Sequence, residues 1–359
     1  MARVTLQTIA DRLGVSRMTV SNAFSRPDQL STELRERVLA TARELGYVGP
    51  DPAARALARG TTGAVGVLLT DSLQYAFTDE VATSFLGAVA DELAPTGLAL
   101  TLLTSGERGD MIPARDVAMD GALVYSCRPD SAARDWLLRR KLPVVFVDQD
   151  PVPGTTSVNV DDRGGARAAA QHLVDLGHRR VAIVTLAIDG PPGIVGDPAV
   201  ANPGHPQQQR MLGWMEALDN AGVHPTVVQI QANSDDQAKD AARSVLLAPE
   251  RPTAVLCFSD VLALGVLAAA EDLGLAIPDD LSVVGFDDSP VARRGRPTLT
   301  TVRQDVAAKG RLAAAALTTA IEHSRSDSKP KVRHLTIPTE LIVRQSTATA
   351  RAEPGGEGR

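Results

Sequence analysis

The stretch TLQTIADRLGVSRMTVSNAF, residues 5–24, decides how the rest of the chain is read. Leu6, Ile9, Ala10 and Leu13 recur at the spacing of one helical face, and Thr5 stands where an N-cap belongs. Gly14 permits a sharp turn, Val15 can tuck into a small core beneath it, and Ser16 can cap a second helix. That helix is predicted to bury Val20, Ala23 and Phe24 and to leave Arg17, Met18, Ser21 and Asn22 facing outward. Arginine, asparagine and hydroxyls near a helix N-terminus suit the DNA major groove, where base edges offer paired donors and acceptors. A solvated helical hairpin with no nucleic-acid partner is the bland alternative. The spacing, the two caps and the polar face together favour DNA.

Working outward, Ser31 is placed to cap a third helix with Leu34, Val38, Ala42 and Leu45 on one face and Gly46 at its end. Next comes DPAARALARG, residues 51–60: Asp51 as N-cap, Pro52 at the first helical position, Gly60 just past the last. Two isolated helical turns are unstable in water because nucleation is unfavourable. The segment is therefore either a linker or a hinge helix that forms when DNA and a partner subunit both hold it. In the second case Leu57 is the apolar side chain available to wedge into the minor groove.

From Ala64 onward, short apolar runs alternate with helical ones. Strands are expected at 64–70, 98–103, 121–126, 144–148, 180–185, 227–230, 254–259 and 281–286, with helices between them. Continuous apolar strands separated by helices imply parallel sheets covered on both faces, here two doubly wound lobes dividing near 157–162. Ligands of such folds bind beyond the carboxyl ends of strands. Thr70, Asp71, Asp148, Ser259, Asp260, Asp287 and Asp288 fall there, and Arg210 can join them from a helix of the second lobe. Carboxylates converging with one arginine suit a hydroxyl-rich small molecule, since each carboxylate can accept two hydroxyl hydrogen bonds. For Asp260 and Asp288 a helix N-cap is the favoured role; for Asp287 and Arg210 it is ligand contact. Residues 186–209, rich in proline and glycine, read as a long loop, and 346–359 as a disordered tail.

Composition sets the limits. The chain has 359 residues, 44% hydrophobic and 22% charged, as in an ordinary soluble protein of more than one domain. Residues 1–60 hold nine arginines and no lysine against six acids, a balance of +3. The remainder of a chain whose formal charge is −6 must then carry −9, so a basic head precedes an acidic body. Cys127 and Cys257 lie far apart in apolar runs, as buried free thiols in a reducing compartment do. His172, His178 and His205 are scattered, with His178 expected on the surface at a helix end, and no metal or cofactor is called for. Met1–Arg12 mixes charge with apolar residues, unlike a signal peptide, and no apolar run approaches the roughly 18 residues of a membrane span, so a cytoplasmic location is expected. Neither a phosphate-binding G-x-x-x-x-G-K-[ST] loop nor a G-x-S-x-G elbow is found, which argues against an enzyme. A sugar-binding receptor with no DNA role is the remaining alternative.

Residues 5–24, LRERVLATARELGY (34–47) and the hinge PAARAL resemble the lactose/galactose repressor (LacI/GalR) family of bacterial transcription regulators. So do VNVDDRGGARAAAQHLVDLGHRRVAIV (158–184), SDVLALGVLAAAEDLGLAIPDDLSVVGFDD (259–288), LTTVRQD (299–305) and IPTELIVRQST near the end. The resemblance implies a homodimeric repressor that grips a palindromic operator in double-stranded DNA. Its helix-turn-helix domain would span 1–48 and a hinge 49–62. A core like that of periplasmic sugar receptors would span 63–345, two lobes joined by three crossovers: lobe 1 at about 63–158 and 304–328, lobe 2 at about 159–290 and 330–345. By position, Arg17, Met18 and Asn22 match base-reading places and Leu57 the intercalating leucine. Ser16, Thr19 and Ser21 match backbone-contacting places, and Thr5, Ser31 and Ala54 complete the expected DNA-contacting set. Arg210, Asp287, Asp148 and Gln304, together with Thr70, Asp71 and Ser259, match places that contact a sugar or nucleoside-like effector. Asn22 replaces a usual Arg, Ala58 stands where some members have a minor-groove Lys, and Ser259 replaces a frequent Asn. Operator and effector should differ accordingly.

Overall fold

Local capping shapes the first helices. In the computed structural model, α1 (Leu6–Leu13) opens on a capping box in which Thr5 and Thr8 each bond the other's backbone amide. It closes on Gly14 at φ 65°, a left-handed conformation that glycine adopts without strain. Ser16 accepts from the Thr19 amide to start α2 (Arg17–Ser25), and Ser31 does the same through Leu34 for α3 (Thr32–Glu44). Ile9, Ala10, Val20, Ala23, Val38 and Ala42 form the core of this small unit, with Phe24 set edge-on to Tyr47 at 5.7 Å. α4 (Pro52–Arg59) starts on Asp51, whose carboxylate accepts from Ala53 N at 2.8 Å, and ends on Gly60 in the left-handed region.

The structure describes residues 4–49, 51–69, 73–105, 111–126, 131–186, 191–196, 204–326, 328 and 331–351. Chain contacts separate two units, Met1–Gly63 and Ala64–Arg359. The second unit carries two sheets. The first orders its strands β12-β5-β4-β3-β1-β2, all parallel. Here β1 is Ala64–Leu69, β2 Ala99–Thr104, β3 Gly121–Tyr125, β4 Val144–Val147, β5 Thr156–Val160 and β12 His334–Ile337. The second sheet is ordered β13-β11-β10-β9-β6-β8-β7 and is parallel except for its two outermost pairs. It comprises β6 (Val181–Leu186), β7 (Gly193–Val195), β8 (Thr226–Ile230), β9 (Ala254–Cys257), β10 (Ser282–Asp287), β11 (Thr300–Gln304) and β13 (Thr339–Ile342). The central strands are buried along their length, as strands covered on both faces must be.

The chain passes between the sheets three times: from β5 into the helix Asp162–Asp175, from β11 into the helix Val306–Arg325, and from β12 into β13. The first and third crossings are tied together, since Asp161 N bonds Ile337 O and Thr339 Oγ1 bonds Asp161 O.

Several expectations are corrected. β12 joins the first sheet, so 334–337 belong with lobe 1 and not, as expected, with lobe 2. The proline- and glycine-rich 186–209 segment is not wholly loop: β7 pairs antiparallel with β8, Gln229 bonds Pro191 O, and a helix begins at His205. Residues 346–351 of the expected tail are ordered, and 352–359 lie outside the described residues. Ser346 is fully buried, bonding Val283 O and accepting from Thr300 N, and the Ala350 amide bonds Leu176 O. His178 is no surface residue: 2% exposed, it is held by Thr253, Ser282 and the Ala348 carbonyl, and burial lowers its pKa. Cys257 is a buried free thiol, whereas Cys127 lies outside the described residues. Among the described residues no helix is long and apolar enough to cross a membrane.

Candidate functional site

The N-terminal unit presents one polar helix face. Arg17 and Met18 are fully outward, Met18 at 70% exposure, while Thr19, Ser21 and Asn22 are half-buried alongside them. Asn22 donates to Gln29 Oε1 at 3.1 Å, which holds its amide against the following turn. Thr5, Ser16 and Ser31 are exposed at the N-termini of three helices, where amides and the positive end of the helix dipole favour phosphate. In α4 none of the described side chains is buried. Ala54 is exposed and Leu57 stands 86% exposed, so among the described side chains this helix has no buried face to hold it.

In the larger unit the carboxyl ends of the strands gather a buried ionic cluster. Arg210 lies on the helix His205–Asn220, which packs tightly against Asp162–Asp175 because residue 213 is glycine: a Cβ there would sit 2.2 Å from Arg163 O. The Arg210 guanidinium is sandwiched 3.6 Å from the Phe286 ring centre and 4.4 Å from that of Phe258. It donates to Asp162 Oδ1 at 2.8 Å and lies 3.6 Å from Asp287 Oδ1. Gln304 donates to Asp287 at 2.6 Å and accepts from Lys309 Nζ at 3.1 Å. Lys309, 1% exposed, donates to Asp148 Oδ2 at 2.5 Å. Lys309 sits one turn into Val306–Arg325, beside Gly310, where a Cβ would meet Phe85 O at 2.8 Å. The helix Glu80–Leu93, which carries Phe85, can therefore pack closely against it. Asp162 and Gln304 flank two of the three crossings, so the cluster joins both lobes.

Backbone strain concentrates at the same place. Asp148 adopts φ 54°, Asp287 φ 111° and Asp288 φ 52°. For non-glycine residues these left-handed conformations cost energy and gather where the surrounding structure over-determines them. Burial pushes the Asp287 carboxyl well above its usual range, with Arg210 opposing and Asp260 reinforcing the shift. Asp148 Oδ1, Asp162 Oδ2, Thr185 Oγ1 and Gln207 Oε1 are buried without a hydrogen-bond partner. Each such atom costs about 1–3 kcal/mol if it stays unpaired.

The structure thus brings together Asp148, Arg210, Asp287 and Gln304 of the expected effector set. Thr70 and Asp71 lie outside the described residues. Ser259 is committed locally, capping the helix Asp260–Asp272 through Leu262 N and donating to Asn233 Oδ1 at 2.6 Å. Asn233 in turn donates across the lobes to Asp79 at 2.9 Å. Asp260 is therefore not the N-cap. It is fully buried and accepts from Thr301 and Ser289, and burial pushes its pKa up to about 6. Nor is Asp288 a cap. Burial alone would raise it, but Arg293, Arg303 and Arg344 hold it below its usual value. The sequence reading missed Asp162, Lys309 and Asn233. For Lys309 a signal existed, because Val306, Gly310, Ala313 and Leu317 place it on the inward face of its helix.

Comparison with known proteins agrees with this geometry. Residues 5–49 match the bacterial regulatory proteins of the lacI family, and residues 170–347 a periplasmic binding protein-like domain. An HTH-type transcriptional regulator of Mycolicibacterium smegmatis is 39% identical over 331 residues, covering 87% of this chain and 89% of its own. A crystal structure of a LacI family transcriptional regulator from Corynebacterium glutamicum superposes with a TM-score of 0.69 at 32% identity, covering 97% of this chain and 99% of that one. A complex of the transcriptional regulator CelR with cellobiose superposes at 0.67 and 29% identity, covering 96% and 100%. With a DNA-reading unit ahead of a two-sheet binding core, this chain belongs to the lacI family of bacterial transcriptional regulators and is not an enzyme.

Proposed function

We propose that the protein is a homodimeric repressor whose operator affinity is set by a small polar effector held between the two lobes. The observation that carries this reading is the buried cluster of Asp148, Asp162, Arg210, Asp287, Gln304 and Lys309. It spans both lobes at the crossings and leaves acceptor atoms unpaired. A ligand completing those bonds changes how the lobes sit, and through residues 49–62 it changes whether two hinge helices can pair on DNA. The CelR–cellobiose complex supports a carbohydrate-like ligand.

On this reading Arg17, Met18 and Asn22 read bases, while Thr5, Ser16, Thr19, Ser21, Ser31 and Ala54 approach the backbone. Leu57 wedges into the centre of a palindromic site with half-sites about one helical turn apart. A coupling of about 1–3 kcal/mol between cleft and DNA suffices to switch occupancy. Operator selection from genomic fragments, followed by fluorescence anisotropy with and without candidate ligands, tests the reading. Preference for one palindrome, altered at least fivefold by a cleft ligand, is expected. Equal affinity for selected and random duplexes would remove the repressor reading.

A further inference from the structure

We infer that two clasps, Asp79 with Asn233 and Asp150 with His205, hold the lobes closed over the cleft, and that making and breaking them separates the two lobe arrangements on which regulation depends. The link to regulation rests on the cleft being the effector site, as proposed above; the clasps themselves do not. Each joins lobe 1 to lobe 2 through residues outside the three crossings, and every bond in them runs from protein to protein.

The first clasp is a relay between two helix N-termini. Asp79 Oδ1 accepts from Ala82 N at 2.8 Å and so caps Glu80–Leu93 in lobe 1. That bond fixes the carboxylate, and its other oxygen accepts from Asn233 Nδ2 at 2.9 Å. Asn233 is fixed in turn, because its Oδ1 accepts from Ser259, the cap of Asp260–Asp272 in lobe 2. Asp79 and Ser259 are both buried, which shields the two ends of the relay from water. Side chains already held by their own helices lose little freedom on meeting, as a contact between two rigid bodies requires.

The second clasp ties together the segments that carry the ionic cluster. Asp150 follows Asp148 by two residues, and His205 opens the helix that bears Arg210. Asp150 Oδ1 lies 2.8 Å from His205 Nδ1, at the positive end of that helix. The bonds of the cluster itself do little to hold the rims. Lys309 with Asp148 stays inside lobe 1, and Arg210 with Asp162 and Gln304 with Asp287 stay inside lobe 2. Lys309 does reach Gln304 across the lobes, but Gln304 stands at a crossing, where a bond serves as a pivot. The closed arrangement therefore depends on Asp79, Asn233, Asp150 and His205 as positioning residues, and a ligand tips a balance that these four set.

Double electron–electron resonance on the full chain tests this with no ligand added. Spin labels at Asp135→Cys in lobe 1 and Asp240→Cys in lobe 2, both exposed sites, report the separation of the lobes. The background is Cys127→Ser, Cys257 being buried, and labelled chains are diluted with unlabelled ones. The wild type should give one short, narrow distance with less than about 10% of a longer one. Asn233→Ala/Asp150→Ala should carry most molecules to the longer distance and change operator affinity at least about fivefold. The reversed pair Asp150→His/His205→Asp, which re-forms the second clasp with its partners exchanged, should return the short distance. If Asn233→Ala does not fold, Asp150→Ala alone carries the comparison, since that side chain is 66% exposed, and it should broaden the distribution.

Equal distance distributions in wild type and clasp variants overturn the inference, and so does a reversed pair that stays open. Equal distributions beside a thermal response to a panel of mono- and disaccharides remove the clasps and keep the cleft as effector site. Clasp-dependent distances with no response to that panel support the clasps and overturn their link to an effector.

Discussion

The N-terminal head and the buried ionic cluster of the core draw on the chain in opposite ways. The head takes its outward face largely from one nine-residue helix, and its caps act across three residues. The cleft cluster is assembled from residues 48 and 161 positions apart, Arg210 with Asp162 and Lys309 with Asp148. In the head, Arg17, Met18 and Leu57 are exposed, and Thr5, Ser16, Ser31 and Asn22 bond only to residues three to seven positions away. In the cleft, the same side chains that would meet a ligand also neutralise one another inside the core. Binding and stability should therefore separate in the first region and be inseparable in the second.

The sharpest way to break that comparison is Arg210→Ala. Removing the guanidinium leaves Asp162 facing a buried void and Asp287 without its cation, and breaking a buried pair in this way costs about 3–5 kcal/mol. Urea denaturation should show a midpoint well below the wild type's, together with loss of any ligand-induced thermal shift. A variant of wild-type stability that merely failed to bind ligand would mean that the cleft separates the two roles as the head does.

Asp260 sharpens it through pH. Its folded pKa is about 6, raised by burial above a usual value of 3.8. Between those values the folded state keeps a proton that the unfolded chain has released, so stability falls as pH rises. About two pKa units amount to roughly 3 kcal/mol, fully felt above pH 6. Asp260→Asn should flatten the decline between about pH 4 and 6 when unfolding free energies of the two proteins are compared. Parallel curves for wild type and variant would show that Asp260 titrates normally.

What could be read in advance follows the same division. The three head helices and the core strands β1, β3, β4, β6 and β9 were legible because caps and apolar runs are local signals. β5, β11, β12 and β13 were not. TSVNV, TTVRQ, HLTI and TELI are short, half-polar and become strands only by pairing with partners far along the chain. Ser346 and His178 looked like surface residues by type, yet each is buried because distant backbone and hydroxyl groups satisfy it. Of the buried cluster, Asp148, Arg210, Asp287 and Gln304 were expected to lie together, partly from strand ends and partly from family likeness. Lys309 escaped because a lysine amid alanines ordinarily lies on a solvated face, and only its helical phase pointed inward.

Leu57→Ala examines the head from the other side. The side chain is 86% exposed, so its removal leaves the fold untouched. If it inserts between base steps, losing its burial forfeits about 1.5–3 kcal/mol of binding. Operator affinity should fall about 10- to 100-fold in gel-shift titration with no change in melting temperature. Unaltered affinity would leave residues 51–60 a passive linker.

Asp51→Ala gives the smallest effect and the finest discrimination. Its carboxylate accepts from Ala53 N at 2.8 Å and starts a helix with no described side chain buried. Losing such a cap costs about 1 kcal/mol of helix stability. In free protein a two-turn helix with no described side chain buried contributes almost nothing to global unfolding, so the melting temperature should not move. On the operator the helix must be formed, and the whole deficit should appear as roughly fivefold weaker binding, since 1.4 kcal/mol is tenfold. Circular dichroism of free and operator-bound protein then separates the causes. A binding loss accompanied by equal helix content in both states would place the role of Asp51 in a direct DNA contact and not in the folding of the hinge.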